Sequence, residues 1–170
     1  MPALLLPPDV EAVLTRCFTC EITTNNKEGQ PLTWPNLPYY DRPNGRLVVT
    51  ASVAFPVKTY NIKRNPHVAM LFSDPTGSGL TDPPAVLVQG DATVAEMVEK
   101  EHEQLGIDIL KVSLARQPQS RQYLANPIAR SLFSFYFRRI GVFVTPRRIL
   151  TWPQRDFSRT PEEIEVRYVE

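Results

Sequence analysis

Cysteine is nearly absent, with only Cys17 and Cys20 in 170 residues. Two thiols cannot build the disulfide framework of a small secreted domain, and they point to a reducing, cytoplasmic setting. Histidine is equally scarce: His67 and His102 leave little from which to build a hydrolase triad, and no Gly-x-Ser-x-Gly elbow is present. No apolar run reaches membrane-spanning length, and the opening residues lack the basic start and long apolar core of a signal peptide. Charge of one sign is missing too. With 19 basic and 18 acidic residues the net charge is +1, so no global field would draw nucleic acid or an anionic membrane. Glycine (7) is outnumbered by proline (17), which argues for fixed corners over flexible linkers, and no solenoid-period repeat occurs. The length suits one domain with a real core. The expected organisation is a single unit over 1–170, with a helix at 8–16, a β-rich body at 17–152 and a tail at 153–170.

What is present centres on the stretch from Leu47 to Phe72. Leu47, Val48 and Val49 are β-formers, and Val68 to Phe72 is apolar throughout. Between them Pro56 suits the start of a helix, because the N–H it lacks would be unpaired there, and Asn65-Pro66 stops it. The pattern predicts strand, polar corner, short helix, strand. Thr50, Ser52 and Lys58 would then lie beside a helix N-terminus, where free N–H groups and the helix dipole favour an anion such as a phosphate.

Around that stretch, Pro8 to Glu11 has proline and acids where a first helical turn wants them. Cys17 to Thr24 reads as a strand, and the turn at 25–29 returns the chain through Gln30 to Tyr40 as its hairpin partner, giving a meander. Pro31, Pro35 and Pro38 predict that this partner is bent, at an edge, or lining a cavity. Residues 73–84 form a loop, and Ala85 to Val94 a strand with Gly90 as a bulge or close-approach point. Helices are expected over Glu96 to Leu110 and Arg121 to Phe137. Arg139 to Pro146 and Arg148 to Trp152 read as two closing strands joined at Pro146-Arg147.

Several chemistries fall away on spacing. Cys17 and Cys20 form a CxxC, but an i, i+3 pair on a strand points to opposite faces and no second pair completes a zinc site. Glu99 and His102 could face one metal, yet a di-iron bundle needs two such helices. No metal site is expected. Gly77-Ser78-Gly79 follows a strand as a dinucleotide turn would, but Pro83-Pro84 forbids the helix that must come next, leaving a flap, a tail-contacting loop or a plain connection. Arg138-Arg139 and Arg147-Arg148 alternate with Phe133, Phe135, Tyr136 and Phe137, whose spacing suits packing better than nucleic acid. Trp34 and Trp152 each precede proline, and a tryptophan on a bent strand could cover a planar ring or simply pack in the core.

One set of features points to a family. It comprises a strand ending at Thr50, Lys58 on a short helix closing Lys63-Arg64-Asn65-Pro66, an apolar strand, and a strand carrying Gln89-Gly90-Asp91-Ala92. The terminal FYFRRIGVFVTPRRILTW follows. Together they resemble the pyridoxamine-5′-phosphate-oxidase-like FMN-binding split β-barrel family, from about Asp9 to Trp152, and within it the flavin and deazaflavin oxidoreductases. The resemblance implies a β-rich α+β fold, a six-stranded antiparallel split β-barrel with peripheral helices, forming a homodimer with cofactor sites at the interface. It places Thr50, Ser52 and Lys58 at the cofactor phosphate or ribityl chain, Gln89 and Gly90 near the ring edge, and Trp34 near the ring face. Members often carry Ser or Thr two residues before the lysine; here Pro56 stands there, which makes Lys58 the strongest of the set and weakens Ser52.

The implied function is an oxidoreductase that uses FMN to transfer hydride to or from a small organic substrate, with no side-chain acid or base required. An F420-dependent reductase of the same fold is the alternative. A non-catalytic module for a flavin or tetrapyrrole, and a cofactor-free structural dimer, are the readings from other classes.

Overall fold

The computed structural model describes residues 3–53, 55–96, 103–116 and 139–169. Its strands and helices run in the order β1 (Ala3–Leu5), α1 (Pro8–Arg16), β2 (Cys20–Asn25), β3 (Pro31–Asn36), β4 (Tyr39–Asp41), β5 (Arg46–Ser52), α2 (Val57–Arg64), β6 (His67–Phe72), β7 (Ala85–Glu96), α3 (Glu103–Arg116), β8 (Arg139–Trp152), β9 (Glu162–Ile164) and β10 (Arg167–Val169). One antiparallel sheet holds eight strands in the order β3-β2-β6-β7-β8-β5-β4, with β9 added on β8. Six are of six residues or more, and β4 and β9 are three-residue additions at its margins. The two ends of that order, β3 and β4, are joined through Leu37 and Pro38 alone. So short a link forces the sheet to curl until its edges meet, which makes it a split barrel.

Inside the barrel the residues alternate with the period of two that a sheet imposes. Ile22 on β2, Met70 on β6, Val88 on β7 and Ile149 on β8 stand in one register row, and none of the four has any measurable exposure. Val10, Val13 and Leu14 of α1 complete that core from one side. On the outside of β5 and β8, Val48 and Phe143 form a second cluster, covered by Leu105 and Ile109 of α3. Helix α2 lies against β2 and β7 and buries Ile62. There Asn61 Nδ2 donates to the buried Thr24 Oγ1 at 3.0 Å.

The central stretch folds as its pattern predicts, with β5, α2 and β6 in the expected places. Three expectations need correction. Gln30 to Tyr40 is not one hairpin partner: Pro38 divides it, so that β3 pairs with β2 while β4 pairs with β5 at the opposite end of the sheet, and the order is not a meander. Glu96 ends β7, paired with Ile140, and the helix expected from there runs as Glu103–Arg116 among the described residues. The two closing strands are a single strand, β8, because β7 pairs along its whole length. The tail carries β9 and β10, and β10 pairs with β1 to bring the two ends of the chain together. The helix expected over Arg121 to Phe137 lies outside the described residues.

The continuity of β8 rests on a bulge. Gln89 pairs with Arg148 and Gly90 with Pro146, so Arg147 is the extra residue, next to a proline that has no N–H to give the ladder. Gly90 is the close-approach point: a Cβ there would lie 2.3 Å from the Thr145 carbonyl oxygen. The loop of 73–84 bears on both α1 and the tail. Gly77 and Gly79 have φ of +78° and +67°; the first packs against the Phe18 ring, and Arg16 Nη2 donates to Gly79 O at 3.3 Å. Arg155 Nη1 donates to Pro83 O at 3.2 Å, so the loop does contact the tail.

Candidate cofactor site

Lys58 is the second residue of α2, whose first turn has no side-chain cap on its N–H groups. Those orphan donors and the helix dipole make the local field positive. Only 8% of Lys58 is exposed, and its ammonium donates to Asn36 Oδ1 at 2.6 Å. The amide of Asn36 is held in that sense because its Nδ2 donates to Pro35 O at 2.8 Å, turning the oxygen towards the lysine. Burial, and then the neighbouring Arg139, push the lysine down from 10.5 to about 8. Burial drives the Cys20 thiol far upward, so it carries no charge where Lys58 titrates. Among the described residues no carboxylate pairs with Lys58. A buried ammonium with one neutral acceptor, beside a second cation and a helix N-terminus, is a positive charge that no acidic group among the described residues balances.

The register shows which expected residues join it. Asn36 is opposite Cys20, and Trp34 opposite the fully buried Ile22, so Trp34 and Asn36 emerge on the same inward-facing side of the edge strand β3. Trp34 stays half-buried because no further strand pairs beyond β3. Ser52 is buried at the end of β5, opposite Arg139, the residue whose charge bears on Lys58. Thr50 is half-buried two residues earlier on the same face as Ser52 and opposite Gly141. Lys58 and Trp34 therefore share one corner of the barrel through Asn36, whereas Thr50 and Ser52 alternate with the core residues Leu47 and Val49 and lie with Val48 on the outer face of β5.

Gln89 and Gly90 are not brought to that corner. Gln89 stands in a row with Ala69, Thr23 and Thr33, one residue out of step with Trp34, and its side chain leaves the sheet on the other face. Gly90 is occupied by its contact with Thr145. Two contributors escaped the sequence reading. Asn36 carries no signal beyond being polar in a proline-rich edge strand, and Arg139 stands out only as part of a basic and aromatic run.

The remaining candidates settle into structural roles. Cys17 and Cys20 are free, buried thiols, Cys17 closing α1 and Cys20 opening β2. His67 Nδ1 lies 2.9 Å from Asp91 Oδ1 at the surface, and Arg147 Nε donates to Asp91 Oδ2 at 2.8 Å. Trp152 sits 5.5 Å from the Phe157 ring in the tail. Among the described residues no group of three or more His, Cys, Asp or Glu side chains could hold a metal, and no helix is long and apolar enough to cross a membrane. Glu99 and His102 lie outside the described residues.

Comparison with solved structures returns the same fold in proteins of low identity. General Stress Protein 26 from Bacillus anthracis is 16% identical, with 92% of this chain and 95% of that chain covered at a TM-score of 0.59. An F420 reductase is 22% identical, covering 85% and 98% at 0.57. A heme-binding protein from Mycobacterium smegmatis is 13% identical, covering 94% and 59% at 0.57. Comparison with curated protein sequences finds no significant match. The sequence model described as pyridoxamine 5′-phosphate oxidase matches residues 6–134, three quarters of the chain and the whole run from α1 through the Lys58 corner to β7. With the split barrel in place, the chain belongs to the pyridoxamine 5′-phosphate oxidase family.

Proposed function

We propose that this protein is an FMN-dependent oxidoreductase acting on a small organic substrate. The observation that carries the reading is Lys58: a buried ammonium whose charge no carboxylate among the described residues balances. A phosphate would supply the missing charge. FMN, when bound, supplies the hydride chemistry, so the chain needs no side-chain acid or base of its own. Lys58 and the first-turn N–H groups of α2 anchor the phosphate. Asn36 orients the lysine, and Arg139 adds positive field from β8. Trp34, on the same side of β3 as Asn36, offers an aromatic face to a planar ring.

The same reading has the protein work as a homodimer, with the site at the interface. Phe55, Val57 and Tyr60 support it, since these large side chains are 71%, 53% and 62% exposed at the Lys58 end of α2. The two free thiols fit a cytoplasmic setting.

A second cofactor deserves a direct comparison, because one structural relative is an F420 reductase. F420 also carries a phosphate, which Lys58 would serve equally. The visible spectrum of the purified protein, followed by titration with each cofactor, decides between them. Protein that is colourless and binds neither refutes the oxidoreductase reading. A bound cofactor that neither NAD(P)H nor reduced F420 can reduce, with any acceptor, would instead identify a carrier module for a flavin or tetrapyrrole.

A further inference from the structure

A cavity of about 450 Å3 opens between the start of α1, the loop leading into β7, and the tail beyond β8. Its size lies within the range of small-molecule sites, roughly 300–1,000 Å3. It is remote from Lys58: Thr151, which lines it, lies at the other end of β8 from Arg139, and at roughly 3.3 Å per residue that length of strand spans roughly 40 Å. Thr151 is 4% exposed, and its hydroxyl makes no hydrogen bond among the described residues. The residue is buried but Oγ1 is not sealed off from solvent, so this unpartnered hydroxyl is open to a ligand atom from the cavity it lines. Val10 and Leu80 give the cavity apolar wall, while Asp9, Asp82 and Glu162 line it with carboxylates. Asp82 has a distant partner, Arg155 at 4.0 Å, whose guanidinium also serves Pro83. Asp9 and Glu162 have no ion-pair partner among the described residues. Among the described residues no lysine, arginine or histidine lines the cavity.

We propose that this cavity binds a small organic cation, an ammonium or guanidinium carried on a short apolar body. The cationic head lies among Asp9, Asp82 and Glu162 and donates an N–H to Thr151 Oγ1, and the body packs on Val10 and Leu80. The site is independent of the Lys58 corner, where the ligand charge has the opposite sign.

Butylguanidinium is a suitable probe and uncharged butylurea its control, both followed by amide chemical shifts of the full-length protein. The expected result is a saturable shift of amides in 9–12, 80–84 and 151–154 with butylguanidinium, and none with butylurea. Added salt should weaken binding, because the carboxylates are exposed and screened. Glu162→Gln, an exposed change that spares the fold, should weaken it by about fivefold, the scale of one exposed charge interaction. Thr151→Val, matched in shape, should weaken it by about fivefold through loss of one hydrogen bond. Equal response to butylurea, absence of saturation at millimolar probe, or affinity unchanged in Glu162→Gln overturns the proposal. Lys58→Met should leave the shifts in place, which separates this site from the cofactor corner.

Discussion

Lys58 and Asn36, 22 positions apart in sequence, are joined by a 2.6 Å hydrogen bond that ties helix α2 to the edge strand β3. The bond holds the ammonium in place without neutralising it, because an amide oxygen carries no formal charge. The folded protein therefore bears the cost of a buried, unbalanced charge, which a bound anion would relieve.

Lys58→Met should raise the stability of the ligand-free protein at pH 7 while removing the anion anchor. The sign follows from the direction of the shift. Folding lowers Lys58 from 10.5 to about 8, so below pH 8 both states carry the proton and the buried charge costs the fold up to about 3 kcal/mol. From pH 8 to 10.5 the folded state releases the proton first, and that cost drains away as pH rises. Denaturant titration of the wild type across this window should show a rise that Lys58→Met lacks. A flat difference between the two would mean that the lysine is not desolvated.

Cofactor affinity should carry the same titration with opposite consequence. An anion binds the protonated lysine, so the dissociation constant of FMN should be level from pH 7 to about 8 and rise above it. Below that point Lys58→Ala should weaken binding by about 1–3 kcal/mol, the scale of a charge-assisted hydrogen bond lost from a buried anion. Fluorescence titration measures both, and affinity that is independent of pH and of the mutation would show that the phosphate lies elsewhere.

Asn36→Asp tests whether the missing counter-charge is the functional feature. A carboxylate at Asn36 would pair with Lys58, raise its pKa and stabilise the fold, yet it would repel the incoming phosphate. The expected outcome is a higher melting temperature together with loss of FMN binding. Binding that survives Asn36→Asp would contradict the arrangement, since the new charge would lie 2.6 Å or so from the ammonium.

How much of this was legible in the sequence depends on the range of the interaction involved. Leu47 to Phe72 could be read because its signals are local: β-branched runs, Pro56 at a helix start and Asn65-Pro66 at its end. The split at Pro38 could not, because whether the residues after Pro38 stay on β2 or pair with β5 is settled by the closure of the barrel and not by the residues around Pro38. The same holds for β8, where Pro146 and Arg147 look like a strand end but are a bulge that β7 spans. At the site, Lys58 was visible from its place on a short helix. Its partner Asn36 was not, since nothing near Asn36 records a lysine 22 residues away.

Gly90 separates a structural requirement from a functional one. Its place in the strand predicts a bulge or close-approach point, and the family resemblance implies a neighbour of the cofactor ring. The geometry makes the first reading sufficient: Val68 pairs with it on one side and Pro146 on the other, and a Cβ would stand 2.3 Å from Thr145 O and 3.1 Å from Val144 Cγ1. Backbone atoms cannot rotate away as a side-chain tip can, so the strands must part. Gly90→Ala should therefore cost about 2–4 kcal/mol of stability, at the upper end for overpacking. Because the bulge sits in the long β7–β8 ladder, the loss should appear as faster amide exchange along both strands. Under conditions where the variant remains folded, FMN affinity should stay within about threefold of wild type, because Lys58 and Asn36 are untouched. A stable Gly90→Ala protein that fails to bind FMN would reverse the assignment and place the glycine at the cofactor.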